Sequence, residues 1–383
     1  MRVSGFTSTG SKRPDALFGG ESAGLPLRMT QSAGARVWDD ERREYLDLIM
    51  GLGAVALGYG HPDVIAAAVD AVERGGIGPL APVEEERLGE QLAAMIPALE
   101  EIRFLKSGAE AVAAAVRLAR AFTGRDRVLG CGYHGWLDWC STGIGVPEAV
   151  SALYDALPFN DPNRTSALIR QAGDRLACVV IEPVIEAAPD PEWLRVIREE
   201  TRRCGAVLIF DEIKTAFRVS LGGAAARWGG EPDLIILGKA MANGFPLAAV
   251  GGRAEIMREV RNTWISSTMA TEFVSFAAAA ATLDVARQVN LPDHLATTGG
   301  LLYAGFERLA QARPDRVTSV GGIPEMCHLR FSSDAVSQAV AEGCARRGLL
   351  FKRNAYNFVS LAHTAIDIAE ALATLDTVLR ELP

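Results

Sequence analysis

Five short apolar runs punctuate the middle of the chain: EIRFL (101–105), RVLGC (127–131), ACVVI (177–181), AVLIF (206–210) and DLIIL (233–237). Several lack the polar–apolar alternation of a strand with one wet face. Strands buried on both faces read this way. Each run is followed by a helix-like stretch, so the pattern predicts an α/β protein: a mostly parallel central sheet flanked by helices. Outside this region, ARVWDDERREYLDLI (35–49) reads as a hairpin turning at Asp39-Asp40. HPDVIAAAVDAVERGG (61–76) reads as a helix closed by glycine. Residues 1–35 are loop-rich, and the chain beyond about 290 holds helices and short strands such as EMCHLRF and NFVSLAH.

Composition narrows the picture. Hydrophobic residues make up 49% and charged residues 22%, the balance of a soluble globular protein. A net charge of −8 with no basic block argues against nucleic acid as a partner. No apolar run has the length a membrane helix needs, and the N-terminus lacks the apolar core of a signal peptide. The six cysteines (131, 140, 178, 204, 327, 344) form no CxxC pair, so they read as buried free thiols rather than a metal site. The expected compartment is the reducing cytoplasm.

The chemistry gathers where the runs end. In open parallel sheets, sites form beyond the carboxyl ends of the strands. Here those ends carry Glu182, then Asp211 and Glu212, then Lys239. A lysine and an Asp on one rim suit pyridoxal phosphate (PLP). The lysine forms a Schiff base with the aldehyde, and the Asp keeps the pyridine nitrogen protonated so that the ring withdraws electrons. Ser107 and Glu110 fit a capping box opening a helix, AEAVAAAVRLARAF, whose first N–H groups are an anion site. Taken singly, Asp211 also reads as a helix cap, Ser107 as a plain cap and Lys239 as an ion-pair partner. Their joint occurrence, in this order at strand ends, favours the cofactor.

With these residues in view, the chain resembles the class III aminotransferases, PLP enzymes of fold type I, in the branch of the glutamate-1-semialdehyde aminomutases. The resemblance runs from about residue 20 to 380 and rests on GARVWDDERREYLDLIMGLGAVALGYGHPDV, KSGAEAVAAAVRLARAFTGRDRVL, YHGW, IEPV, LIFDEIKTAFR, PDLIILGKAMANGFPLAAVGG and FVSLAH. It implies a large PLP-binding domain (51–288) and a smaller α+β domain drawn from both termini (1–50 and 289–383). It implies Lys239 as the Schiff-base lysine and Asp211 as the partner of the ring nitrogen. Ser107, Gly108 and Ala109 hold the phosphate, Tyr133 and Ile213 cover the two ring faces, His134 belongs to the same motif, and Glu182 lies near the 3-hydroxyl. Ser267 and Thr268 complete the phosphate site of a partner subunit, which makes the protein a homodimer with shared active sites. Arg28 matches an arginine that binds the substrate carboxylate.

The departures bear on substrate. The aminomutases carry a Glu where this chain has Ala355, and the segment between Trp136 and Pro158 is shortened. Lys214 stands where the family often has Met or Gln, as a candidate substrate contact. The expected activity is therefore amino transfer from an amino-acid donor, glutamate first, to a keto or aldehyde acceptor, a sugar-like or cyclic ketone among them. An aminomutase and a non-catalytic PLP-binding protein are the alternatives.

Overall fold

The structure, a computed structural model, describes residues 2–21 and 23–382. Strands β1 (Met29–Ala33), β2 (Arg36–Asp39) and β3 (Glu44–Asp47) run antiparallel in succession. The β2–β3 turn is pinned by buried Asp39. Its carboxylate accepts from the N–H groups of Glu41 and Arg43 and from the Tyr45 hydroxyl. This pair is the hairpin expected at 35–49.

The central sheet follows: β4 (Glu101–Leu105), β5 (Arg127–Cys131), β6 (Tyr154–Ala156), β7 (Leu176–Ile181), β8 (Val207–Asp211), β9 (Leu234–Leu237) and β10 (Ala248–Gly252). Their spatial order is β4-β10-β9-β8-β7-β5-β6. The run from β6 to β9 is parallel, and β10 lies antiparallel to both its neighbours. Alternate side chains enter different cores. Val180, Ile209 and Ile236 pack with Val112, Val116 and Leu118 of the helix Gly108–Thr123. Val179, Leu208 and Phe210 pack with Trp193, Leu194 and Ile197 of the helix Pro191–Cys204. With both faces covered, neither needs polar residues, and the runs lose their alternation. Each fully buried Ile or Leu here contributes about 1.5–3 kcal/mol.

Two strands of the central sheet escaped the sequence reading. The segment after Lys239 reads as a Gly-, Ala- and Pro-rich connection, yet Ala248–Gly252 is a wholly buried strand. Small residues are poor strand formers on their own; this one is held by ladders on both sides. β6 is three residues long, too short to show a period.

The chain closes with β11 (Val317–Ile323), β12 (Met326–Phe331), β13 (Leu349–Leu350) and β14 (Asn357–Phe358). β11, β12 and β14 form a three-stranded sheet, and β13 adds to β3 in parallel. The chain divides into two units, Met1–His61 with Asp293–Pro383, and Pro62–Pro292. The sequence reading drew these divisions at 50/51 and 288/289. Among the described residues, no helix is long and apolar enough to cross a membrane, and no cluster of His, Cys, Asp and Glu could hold a metal ion. All six cysteines are free.

Candidate active site

β7, β8 and β9 are adjacent and parallel, so their carboxyl ends share one rim of the sheet. Glu182 follows β7, Asp211 ends β8, and Lys239 follows β9 after Gly238. A cavity of about 360 Å³ opens beside this rim, and Asp211 and Lys239 both line it. Its other walls come from the start of the helix Gly108–Thr123 and from the loop after β5.

Lys239 is partly buried and sits in the left-handed region at φ 42°, a conformation a non-glycine residue holds only when its surroundings impose it. Burial pushes its ammonium down to about 8. The charge of Lys214 pushes the same way, while Asp211 and Glu182 oppose it. The amine is thus far closer to its uncharged form at neutral pH than an exposed lysine.

Asp211 is buried and held at both oxygens. Oδ2 lies 2.9 Å from His134 Nδ1, and Oδ1 accepts the N–H of Ile213 at 3.2 Å. Glu182, also buried, accepts the Tyr133 N–H on Oε1 at 2.6 Å and pairs with Lys214 through Oε2. Two glycines let the Tyr133–His134 loop lie this close. Gly132 has φ +112°, and a Cβ there would sit 2.7 Å from Glu182 Cγ. Gly135 has φ +107°, and its Cβ would sit 2.7 Å from Ala109 Cβ. Tyr133 itself is exposed, with its ring available at the cavity.

The helix Gly108–Thr123 starts with the expected capping box, Ser107 accepting from the Glu110 N–H and Glu110 from the Ser107 N–H. The first N–H groups of a helix have no partner within it. Gly108 and Ala109 bring that end to the cavity wall, and Ile213 lines the cavity as an apolar surface.

Other expected residues lie elsewhere. Ser267 and Thr268 are exposed, and Ser267 lines a separate cavity with Arg103, Glu110 and Trp264. Arg28 belongs to the other unit, where its guanidinium stacks 3.9 Å from the centre of the Phe6 ring and Nη1 donates to the Phe6 carbonyl. Ala355, in that same unit, is exposed between β13 and β14. Glu212 turns away from the cavity: it accepts the N–H groups of Ala224 and Ala225 and bonds Thr215. Trp139 packs in the core, whereas Trp136 is 75% exposed and lines the cavity. The sequence reading missed Lys106 and Phe245–Leu247, which also line the cavity. The position of Lys106 directly after β4, at the same rim as Lys239, was the available signal.

A lysine with a depressed ammonium, a carboxylate fixed by an imidazole, a helix start for an anion and an apolar wall fit PLP chemically. An α/β sheet with this rim defines a PLP-dependent transferase. The model of the family described as Aminotransferase class-III matches residues 19–379, and the chain belongs to that family. It is 36% identical to the glutamate-1-semialdehyde 2,1-aminomutase of Thermomicrobium roseum, over 93% of this chain and 91% of that protein. Among solved structures, the FumI protein of Sphingopyxis sp. MTA144, determined in its PLP internal aldimine form, superposes with a TM-score of 0.90 at 26% identity, covering 98% of this chain and 92% of that one. An omega-transaminase from Sphaerobacter thermophilus gives 0.83 at 28% identity, covering 94% and 92%. The activity class is PLP-dependent amino transfer, and the cofactor is pyridoxal 5′-phosphate.

Proposed function

We propose that this protein moves an amino group from an amino-acid donor, glutamate first, to a keto or aldehyde acceptor such as a sugar-like or cyclic ketone. The observation that carries the reading is Lys239: partly buried on the rim, with its ammonium pushed down to about 8, beside a carboxylate held by His134. PLP supplies an aldehyde for amines and a ring that withdraws electrons from the carbon that loses a proton. Lys239 holds the cofactor and, once released from it, takes and returns that proton. Asp211, oriented by His134, would offer the cofactor's ring nitrogen a negative charge. The N–H groups at Gly108 and Ala109, with Ser107, bind the phosphate. Tyr133 and Ile213 would offer the ring aromatic and apolar surface, and Glu182 would serve its hydroxyl. Ser267 and Thr268 serve the partner subunit's phosphate in a homodimer, and Arg28 binds the donor carboxylate. The setting is the cytoplasm.

Ala355 favours net transfer. Where the related aminomutases carry a carboxylate, this chain has a methyl group, and the shortened segment after Trp136 offers less to retain an intermediate. The resemblance to curated aminomutases favours the second reading, isomerisation without an outside donor. A stoichiometric assay separates them. Net transfer yields one keto acid from the donor for each acceptor aminated. Efficient conversion of glutamate-1-semialdehyde to 5-aminolevulinate without a donor would replace this reading with isomerisation.

A further inference from the structure

Lys239 is not alone in the cavity. Lys214 lines it too, one turn of chain after Asp211, with its side chain 18% exposed. Its ammonium is tied to Glu182, whose side chain is 3% exposed and whose other oxygen accepts the Tyr133 N–H. Lys214 therefore carries a fixed positive charge at the site rather than a mobile one. We propose that Lys214 is a positioning residue: held by Glu182, it offsets that carboxylate's pull on a proton at Lys239 and so eases loss of the proton when the amine takes up the cofactor. The inference rests on the reading of Lys239 as the cofactor lysine.

The charges around Lys239 set the sign. Lys106 reaches the cavity from the end of β4 and is paired with Glu272. Tyr133 and His134 come from the loop after β5, and His134 faces Asp211. After β7 stands Glu182, and after β8 stand Asp211, Lys214 and Arg218. Lys214 and Arg218 both disfavour a charged Lys239, and the two carboxylates favour one. Of the two cations, Lys214 has the larger effect. Removing its charge also leaves Glu182 without that partner, which draws a proton towards Lys239 still more strongly. Both consequences run in one direction.

The test measures the proton on Lys239 directly. In the cofactor-free full-length chain, competitive labelling with acetic anhydride across pH, read at the Lys239 peptide by mass spectrometry, gives the midpoint of its titration. Lys214→Met and Lys214→Gln are each expected to raise that midpoint by about one pH unit, leaving about tenfold less uncharged Lys239 at neutral pH. Lys214→Arg, which keeps the charge, is expected to titrate as the parent does. An unmoved midpoint in the neutral variants, or an equal shift in Lys214→Arg, would overturn the inference. Borohydride reduction of the parent holoenzyme separates the two levels. A pyridoxyl label on Lys239 with an unmoved midpoint overturns the role of Lys214 alone; a label on Lys214 or Lys106 overturns the reading of Lys239 and the inference with it.

Discussion

The two units treat their charged candidates differently. In the unit Pro62–Pro292, Asp211, Glu182 and Lys214 are each tied to a named partner and line or border one cavity at a sheet rim. In the other unit, Arg28 is exposed, resting on the ring and carbonyl of Phe6. Charge inside a low-dielectric cavity acts strongly on its neighbours, while an exposed guanidinium is screened and acts only on what touches it. On the proposed roles, the contrast would separate bond-making chemistry, where groups are fixed, from carboxylate binding at an exposed guanidinium.

The largest effect should come from Lys239→Ala. Removing the proton carrier is expected to lower kcat by about 10²–10⁴-fold while PLP remains bound through the helix start and Asp211. Rapid turnover in this variant, or loss of PLP with it, would break the first half of the comparison. Asp211→Asn should follow, with kcat down by about 10²–10³-fold, because an amide cannot offer the ring nitrogen a negative charge. Absorbance of bound cofactor, measured alongside rate, distinguishes lost binding from lost electron withdrawal.

Gly135→Ala tests the close approach of the loop after β5. At φ +107°, with its Cβ 2.7 Å from Ala109 Cβ, the substitution should cost about 1–3 kcal/mol in denaturant unfolding. Arg28→Gln should raise KM for carboxylated donors by about tenfold and leave kcat nearly unchanged, since its loss removes one charged hydrogen bond from binding. A fall in kcat as large as that of Asp211→Asn would erase the distinction between the units.

The last effect is in the pH dependence of stability. The folded-state value of Lys239 is about 8 against an ordinary 10.5. The unfolded chain therefore binds more protons between these values, and stability rises with pH across that window. The contribution is fully present above about 10.5 and lost as pH falls through 8. Thermal melts of the cofactor-free chain and of Lys239→Ala should diverge over this interval, the parent gaining on the variant as pH rises.

The sequence made the central strands legible because burial on both faces strips them of polar positions, as in Val179–Val180 and Leu208–Ile209. It left β10 unread because alanine and glycine carry no strand signal of their own. Lys239 and Asp211 were legible as the ends of apolar runs, and Ser107 with Glu110 as a cap. The resemblance singled out Asp211 over Glu212, and the geometry supplies a physical reason: at the strand end these adjacent residues diverge, one into the cavity and one onto the helix Gly223–Trp228. The pairing of Lys214 with Glu182 depends on β7 lying beside β8, which local pattern does not encode. Ser267 and Thr268 do not reach the cavity within one chain, so their proposed role depends on a second copy.

Three lysines, Lys106, Lys214 and Lys239, line one cavity, and only one can be the cofactor's covalent partner. Reduction of the holoenzyme with borohydride, digestion and peptide mapping tests the assignment most directly. The pyridoxyl group is predicted on Lys239; finding it on Lys106 or Lys214 would contradict the account at its centre.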